Sequence, residues 1–202
     1  MSESLLQRLL EGLRITHPAE WVAVAAGLVY VVLIMQQRRL GWVFGGVSSI
    51  ILMVLAGRAR LPMAAVLQFS YVVAAVYGWW SWSRAKQAKL ITRWHLRGHL
   101  LAMLGCLVVS LGLSRLLAVE GSSAYPFTDS RVACVGLVAT WMVARVYLEN
   151  WLYWIVVDAV SVFLFFTQGL VLSSLLFLMY LVVATIGYFN WLAKSRRQAA
   201  LP

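Results

Sequence analysis

Charged side chains are scarce in this 202-residue chain: they occupy only 12% of positions, whereas hydrophobic residues occupy 62%. A water-soluble domain carries about 25% charged residues, so this composition excludes a soluble protein. Cysteine is scarce too. Cys106 and Cys134 stand singly in apolar segments, which excludes a disulfide framework and a cysteine-based zinc site and predicts two small buried thiols.

Motifs for catalysis are also missing. No G-x-x-x-x-G-K-[ST] phosphate-binding loop occurs, so the chain does not hydrolyse nucleotides itself. His95 and His99 share a helix face but have no carboxylate or thiolate companions, and we interpret them as solvated or headgroup-facing side chains. His17 precedes Pro18 at a helix start. We therefore predict a protein that is not an enzyme and has no metal or cofactor.

Long apolar stretches are what the sequence does have. A helix needs about 20 apolar residues to cross a hydrocarbon core of about 30 Å. Seven such stretches are predicted, at about 18–36, 42–57, 62–82, 100–118, 132–148, 151–168 and 170–193. Arg145 interrupts the fifth, which is the shortest uncharged run. The prediction is an all-α integral membrane protein with seven transmembrane helices and no soluble domain.

Acidic residues are few, 7 against 17 basic ones, and the basic residues predict the orientation. With the N-terminus outside, the inner loops and the C-terminal tail carry eleven of the 17 Lys and Arg residues, as the positive-inside rule requires. The loop from Glu120 to Asp129 then faces outward. The net charge of +10 favours anionic lipid headgroups, and no nucleic-acid motif accompanies it.

The first 17 residues predict a short amphipathic segment on the outer surface. Leu6, Leu9, Leu10 and Leu13 follow helical spacing, with charged residues on the other faces. A cleaved signal peptide needs a longer uncharged core and a small-residue cleavage site. Neither occurs before Pro18.

An internal repeat relates the two halves of the chain at an offset of 109 residues. The matched pairs are Tyr71 with Tyr180, Gly78 with Gly187, Trp82 with Trp191, Trp42 with Trp151, Phe44 with Tyr153 and Ser49 with Asp158. Parallel repeats build transporters whose substrate site lies between the halves near mid-membrane. Because small residues allow helices to approach closely, we expect Gly78 and Gly187 at the interface between the halves.

Polar and aromatic residues share faces of three predicted helices. The faces consist of Gln68, Tyr71, Ala75, Trp79 and Trp82 on the third helix, of Trp151, Trp154, Asp158 and Ser161 on the sixth, and of Tyr180, Ala184, Gly187 and Trp191, with Asn190 beside them, on the seventh. These stripes predict the lining of a cavity. For Trp82, Trp151 and Trp191 the alternative is an interfacial aromatic belt.

Asp158 is an acidic residue deep within a predicted transmembrane helix. It lies seven positions after Trp151, about 10 Å further along a helix and well inside the apolar layer. Carboxylates at such depth face a bundle interior, a watery cavity or a partner charge. A carboxylate among aromatic rings suits a cationic aromatic ligand. The alternatives are a structural Asp bonded to a neighbouring helix, a pair with Arg145, or a proton relay in a coupled carrier.

Three segments carry a family resemblance. The run from Gln68 to Trp82, the run from Arg145 to Trp154 and the later Gln168-Gly169 resemble the bacterial nicotinamide riboside transporter family, the PnuC-like proteins. The resemblance extends from about Trp21 to Trp191. Its most specific parts are Y-G-W-x-x-W, here Tyr77, Gly78, Trp79 and Trp82, and E-N-W-x-x-W, here Glu149, Asn150, Trp151 and Trp154.

The resemblance implies a 3+1+3 parallel-repeat arrangement like that of the SWEET sugar carriers, with the fourth helix as linker. On this basis the chain divides into an amphipathic segment 1–17, a first three-helix bundle with a basic inner loop 18–99, a linker helix and outer loop 100–130, a second bundle 131–193 and a basic tail 194–202. The resemblance also implies a homotrimer in the bacterial inner membrane. Uptake would be passive, and a cytoplasmic kinase would phosphorylate and trap the vitamin.

The resemblance also implies the binding residues. The family's positions fall on Gln68, Trp79, Trp82, Trp151, Trp154, Asp158 and Asn190. The helix faces add Tyr71 and Tyr180, and the E-N-W-x-x-W motif adds Asn150. Similar relatives carry nicotinamide riboside, thiamine or riboflavin. Some have Asn where this chain has Asp158, and the acid favours a cationic ligand over neutral riboflavin. Nicotinamide riboside and thiamine, both cationic, remain open.

Overall fold

Seven long α-helices make up the structure, a computed structural model that describes residues 7, 10, 12–14, 16–84, 90–121 and 125–200. They are α1 Pro18–Met35, α2 Leu40–Arg58, α3 Pro62–Ser83, α4 Leu96–Glu120, α5 Pro126–Arg145, α6 Asn150–Thr167 and α7 Val171–Ala199. All seven are long and apolar enough to cross a membrane. The predicted all-α, seven-helix membrane fold is confirmed.

Several helix ends differ from the prediction. α5 begins at Pro126 rather than 132, because a proline at the first helical position supplies a helical φ and lacks only an N–H that needs no partner there. It ends at Arg145, so this residue terminates the helix instead of interrupting it. α7 continues to Ala199, through most of the predicted tail. Most of the predicted amphipathic segment 1–17 lies outside the described residues.

Six of the helices form a ring. α1 packs on α2 and α2 on α3, while α5 packs on α6 and α6 on α7. The ring closes where α3 meets α5 and where α7 meets α1. α4 packs against α5 outside the ring. We refer to α1 to α3 and to α5 to α7, the helices that the sequence repeat relates, as the two units, and to the places where α3 meets α5 and α7 meets α1 as the seams.

The matched tryptophans of the repeat make matched contacts. The rings of Trp42 and Trp82 are 5.6 Å apart at 89°, and those of Trp151 and Trp191 are 5.5 Å apart at 87°. Such edge-to-face packing is favourable for aromatic rings. The two units are therefore alike in side-chain packing as well as in sequence.

The matched glycines lie inside the units rather than at the seams. A Cβ atom on Gly78 would overlap the Trp42 ring, and a Cβ atom on Gly187 would lie 2.6 Å from the Trp151 ring. Each glycine thus makes room for the tryptophan of the preceding helix in its own unit. The expectation that Gly78 and Gly187 form the interface between the halves is wrong, because the tryptophan rings occupy the space beside them.

The turns between helices also repeat. After α1, the N–H of Arg38 donates to the Leu33 carbonyl at 2.8 Å, and after α5 the N–H of Tyr147 donates to the Met142 carbonyl at 3.0 Å. In both, an N–H bonds the carbonyl five residues earlier. This bond is typical of a helix that ends at a residue in the left-handed conformation. That residue is Gln37 (φ 59°) in the first unit and its match Val146 (φ 60°) in the second.

A segment at residues 90–95 lies across the ends of α5 and α7. Its Thr92 accepts a hydrogen bond from the N–H of Leu148 at 2.9 Å. The N–H of Ile91 donates to Gln198 at 3.0 Å, and the N–H of Trp94 donates to the Glu149 carboxylate at 3.1 Å. The segment therefore ties the start of α4 to the second unit.

Candidate substrate-binding site

A cavity of about 220 Å³ lies inside the ring of helices. Every helix of the ring lines it, and α4 does not. The lining consists of Gly27, Tyr30, Val31 and Ile34 from α1, Trp42, Gly45, Ser48, Ser49 and Leu52 from α2, Gln68, Tyr71 and Ala75 from α3, Thr140 and Val143 from α5, Trp151, Trp154 and Asp158 from α6, and Phe177, Tyr180 and Ala184 from α7. Its position between the two units agrees with the site expected for a repeat transporter.

The repeat extends to the cavity wall. Three pairs of lining residues are identical at the offset of 109: Trp42 with Trp151, Tyr71 with Tyr180, and Ala75 with Ala184. The two tyrosines reach across the seams. A Cβ atom on Gly27 of α1 would lie 2.7 Å from the Tyr180 hydroxyl, and one on Gly136 of α5 would lie 2.6 Å from the Tyr71 hydroxyl.

Asp158 is the one charged residue among the 20 that line this cavity. Its side chain is only 3% exposed, and it interacts electrostatically with the hydroxyl groups of Tyr71 and Tyr180. It has no hydrogen bond or ion pair within the described ranges. A buried carboxylate of this kind is costly without a partner, so the cavity is suited to a cation.

Arg145 is not the partner of Asp158. Its guanidinium interacts with the side chains of Tyr77 and Tyr147 and lies 6.0 Å from the centre of the Trp141 ring. It is thus held at the end of α5, away from the cavity. The local pair with Asp158 considered from the sequence does not form.

Most polar groups of the cavity lack protein partners. Across the part of the chain that the structure describes, no hydrogen bond is found for the side chains of Tyr30, Ser49, Gln68, Tyr71, Asp158 and Tyr180. The indole N–H groups of Trp42 and Trp151 are buried without an acceptor. Buried polar groups are normally hydrogen-bonded, and a bound polar molecule would satisfy these.

The two remaining hydroxyl groups differ from this set. Ser48 donates to the Ala23 carbonyl at 2.8 Å, and Thr140 donates to the Gly136 carbonyl at 2.9 Å. Both bonds attach a side chain to a helix backbone. Ser48 and Thr140 are therefore already satisfied and shape the wall rather than offer a free hydrogen bond.

Six of the ten residues predicted to bind substrate line this cavity: Gln68, Tyr71, Trp151, Trp154, Asp158 and Tyr180. They come from three helices and meet because the ring closes around them. The helix faces inferred from spacing therefore point to the same space. Their role in binding remains a prediction.

The other four predicted residues lie away from the cavity. The indole N–H of Trp82 donates to the Ala144 carbonyl at 3.1 Å. The guanidinium of Arg39 lies over the Trp79 ring, 5.0 Å from its centre. Asn150 is fully buried and donates to the Tyr147 carbonyl at 2.6 Å. Asn190 is half-buried on α7, outside the lining. Trp79 and Trp82 share a helix face with Gln68, but they lie three to four turns further along α3.

Several residues that line the cavity were not predicted from the sequence. Among them are the aromatic residues Tyr30 and Trp42 and the polar residue Ser49. Trp42 and Ser49 were marked by the repeat, since they match Trp151 and Asp158 of the predicted site. Applying the offset to the whole predicted set would have found them. Tyr30 carries no such signal because its match is Ala139.

His99, predicted to be solvated or headgroup-facing, is half-buried and has a protein partner. It belongs to α4, where its Nδ1 lies 2.8 Å from the Tyr153 hydroxyl and its ring packs edge-on against Trp94 at 4.9 Å. α4 starts at Leu96, four residues before the predicted span. The imidazole therefore joins α4 to α6.

Comparison with known proteins agrees with this architecture. The chain is 26% identical over 209 aligned residues to the nicotinamide riboside transporter PnuC of Escherichia coli K12, covering 90% of this chain and 87% of that protein. It is 29% identical over 147 residues to the riboflavin/roseoflavin transporter RibM of Streptomyces davaonensis, covering 69% of this chain and 68% of RibM.

A solved structure has the same fold. The crystal structure of the vitamin B3 transporter PnuC superposes with a TM-score of 0.70 at 24% identity, over 96% of this chain and 90% of that one. The family model described as nicotinamide mononucleotide transporter matches residues 17–193. That match spans all seven helices almost completely, and this multi-pass membrane protein therefore belongs to the nicotinamide mononucleotide transporter family.

Proposed function

We propose that this protein takes up nicotinamide riboside by facilitated diffusion across the bacterial inner membrane. The observation that carries the proposal is Asp158, a buried carboxylate without a protein partner, which faces the cavity beside aromatic rings. A pyridinium ring placed there gains Coulomb attraction and cation–π contact, which is worth about 2 kcal/mol when desolvated. The relationship to PnuC over 90% of the chain supports the same vitamin.

Two other vitamins are the competing substrates. Thiamine is also cationic and suits the same carboxylate. Riboflavin is the vitamin named for the relative RibM, but it is neutral and leaves Asp158 without a counter-charge. Burying an unpaired charge is unfavourable, so riboflavin ranks below both cations.

The proposed route uses the two units as a 3+1+3 parallel repeat, with α4 as the linker. The matched contacts of the units and the position of α4 outside the ring support this arrangement. The charge distribution favours an outer N-terminus and a cytoplasmic C-terminus. A homotrimer and trapping by a cytoplasmic kinase rest on the family resemblance.

Thermal stabilisation of the purified protein tests the proposal. A ligand at 100 times its Kd stabilises the folded state by about 2.7 kcal/mol, which raises Tm by about 5 to 10 °C for a chain of this size. We expect nicotinamide riboside to give the largest shift, with thiamine and riboflavin measured in parallel. A shift with thiamine alone would make the vitamin assignment wrong and leave a cation carrier.

A proton-coupled carrier is the second candidate, favoured by the absence of a protein partner for the Asp158 carboxylate. The two mechanisms differ in sealed vesicles that have no pH or sodium gradient. Facilitated diffusion predicts entry of labelled vitamin up to the outside concentration. Proton coupling predicts accumulation above that concentration when an inward proton gradient is imposed.

A further inference from the structure

Two arginines border the seam between α3 and α5 without an acidic partner. Arg84 directly follows α3, and Arg145 is the last residue of α5. Neither forms an ion pair across the residues that the structure describes. They lie at one level of the ring, because Trp82 donates to the carbonyl of Ala144, the residue before Arg145. Two positive charges therefore meet at this seam with no counter-charge from the protein.

Aromatic rings connect the two guanidinium groups. The guanidinium of Arg84 lies over the Trp80 ring, 4.1 Å from its centre. The rings of Trp80 and Tyr77 are 6.3 Å apart, and the Tyr77 side chain interacts with Arg145. We call Tyr77, Trp80, Arg84 and Arg145 the seam patch. Stacking on a ring and contact with a phenol leave a guanidinium its charge and other N–H donors in its plane.

A stripe of exposed apolar side chains leads along α3 to the seam patch. Phe69, Val73, Val76 and Trp80 follow one another at steps of four, three and four residues, and each is about half exposed or more. They therefore share one helix face, which Arg84 continues one turn later. The stripe is about 16 Å long at about 1.5 Å per residue. This length matches the hydrocarbon of one leaflet, roughly 15 Å, or half of the bilayer core.

We propose that the seam patch binds the headgroup of an anionic phospholipid. The phosphate lies between Arg84 of the first unit and Arg145 of the second, and the acyl chains lie along the α3 stripe. The planar fork of N–H groups on arginine matches the oxygens of a phosphate. On the proposed orientation this end faces the cytoplasm, where basic pockets between transmembrane helices bind acidic lipids. The bound lipid joins the two units at this seam.

A second copy of the chain, inserted in the same direction, does not supply the missing negative charge. Within the described residues Glu149 is the one acidic residue at this end of the ring, and its carboxylate already accepts from the N–H of Trp94 at 3.1 Å. The other acidic residues described are Glu20, Glu120 and Asp129, at the opposite helix ends, and Asp158 in the cavity. Charge complementarity therefore favours a lipid over a protein partner.

The seam between α7 and α1 lacks this patch. At the repeat offset of 109 residues, Tyr77, Trp80, Arg84 and Arg145 correspond to Ile186, Phe189, Ala193 and Gln36. None of these four carries a charge. Lys194 lies nearby, but it donates to the Met35 carbonyl at 3.2 Å. The proposed lipid site is therefore specific to one seam and does not follow from the repeat.

Titration of the purified full-length protein with phosphatidylglycerol tests the proposal. The probe is added in detergent, and its affinity is taken from the dependence of Tm on lipid concentration. We expect saturable stabilisation by phosphatidylglycerol and none by phosphatidylcholine with the same acyl chains. Arg84→Gln should weaken binding about fivefold, the factor expected for one basic residue near an anionic headgroup. Equal stabilisation by the two lipids would overturn the proposal.

Arg197→Gln is the matched control. Arg197 lies in the last turn of α7, at the same end of the ring, and its replacement removes the same charge. We expect the affinity for phosphatidylglycerol to change less than about twofold, because salt screens exposed charges that do not touch the lipid. An equal loss in Arg84→Gln and Arg197→Gln would overturn the site, since binding would then follow net charge alone.

Arg145→Gln tests the other side of the seam and should also weaken binding about fivefold. Because Arg145 contacts two tyrosines, this variant counts only if it elutes as a single species with the Tm of the wild type without lipid. Arg84→Gln decides the test otherwise.

The remaining measurements distinguish the lipid from other occupants. Glycerol phosphate carries the same anion without acyl chains, and we expect no saturable stabilisation at the lipid concentrations used. Stabilisation equal to that by phosphatidylglycerol would identify a site for a soluble anion and overturn the lipid assignment. A change of oligomeric state in Arg84→Gln, with lipid affinity unchanged, would identify a contact between copies and overturn it as well.

Discussion

At the scale of single residues, the repeat shows which backbone positions carry strain. The turn between α2 and α3 passes through Arg60 at φ 58°, and the matched turn between α6 and α7 passes through Gly169 at φ 77°. The left-handed region is unfavourable for residues with a Cβ atom and neutral for glycine. The second unit therefore has the unstrained residue at a position where the first unit has a strained one.

We predict that Arg60→Gly stabilises the protein. Removing the Cβ atom relieves about 1 kcal/mol at this left-handed position, and we expect Tm in detergent to rise by about 2 to 4 °C. Arg58→Gly is the matched control, since it removes the same charge from the last residue of α2, where glycine weakens the helix. A lower Tm for both variants would mean that the turn is not strained in solution.

At the scale of helices, packing within each unit depends on a glycine that faces a tryptophan. Gly78 faces Trp42, whose ring also packs against Trp82 and lies 5.8 Å from the ring of Tyr30. The indole is therefore contacted by three residues, and its only open side is the one that lines the cavity. By contrast, Gly105 on α4 has nothing within 4 Å of the place a Cβ atom would occupy.

We predict that Gly78→Ala destabilises the fold. Overpacking of this kind costs about 1 to 3 kcal/mol, so thermal unfolding followed by size-exclusion chromatography should occur several degrees below that of the wild type. Gly105→Ala serves as the control and should be neutral or stabilising, because alanine is the better helix former. Equal unfolding temperatures for the two variants would show that the Trp42 ring can shift.

Helix existence could be predicted from the sequence more reliably than helix ends. Apolar runs identify all seven spans, but the limits of α5 were displaced because Asp129 and Arg131 were assigned to the preceding loop. In the structure these charges occupy the first turns of the helix. Their position depends on the proline at its start and on where the chain meets the bilayer surface, which a count of apolar residues does not contain.

At the scale of the whole molecule, the two units are joined by a pair of matched hydrogen bonds. The indole N–H of Trp82 donates to the Ala144 carbonyl at 3.1 Å, and that of Trp191 donates to the Met35 carbonyl at 3.0 Å. Each tryptophan of one unit thus bonds the end of the first helix of the other unit. Lys194 adds a second bond to the Met35 carbonyl at 3.2 Å. Separation of the units at this end of the ring requires these bonds to break.

We predict that removing either indole donor opens this end of the cavity more often. Trp82→Phe and Trp191→Phe keep an aromatic ring and lose a hydrogen bond worth about 0.5 to 1.5 kcal/mol, which shifts an equilibrium about two- to tenfold. To measure this, Ala75, which lines the cavity, is replaced by cysteine and labelled with a membrane-impermeant maleimide. The labelling rate should rise by this factor in both variants when the reagent is added on the side of the membrane where the indole bonds lie, and should not change when it is added on the other side. Cys106 and Cys134 are first replaced by serine.

Trp80→Phe is the control for this measurement. Trp80 is 48% exposed and lies 4.1 Å below the guanidinium of Arg84, and it makes no bond between the units in the residues described. Its replacement should leave the labelling rate unchanged. Equal rates in all three variants would show that the indole bonds do not restrain this end.

The sequence alone determined the class, the helices, the repeat and the deep carboxylate, because apolar length, periodicity and a single offset are properties of the chain in one dimension. Only the tertiary structure decided which residues of each helix face meet in the cavity. Trp79 and Trp82 share a face with Gln68, yet Trp82 closes a seam and Trp79 packs under Arg39. A helix face specifies a direction, whereas a binding site also requires a common depth, and the depth is decided by how the two units close around the cavity.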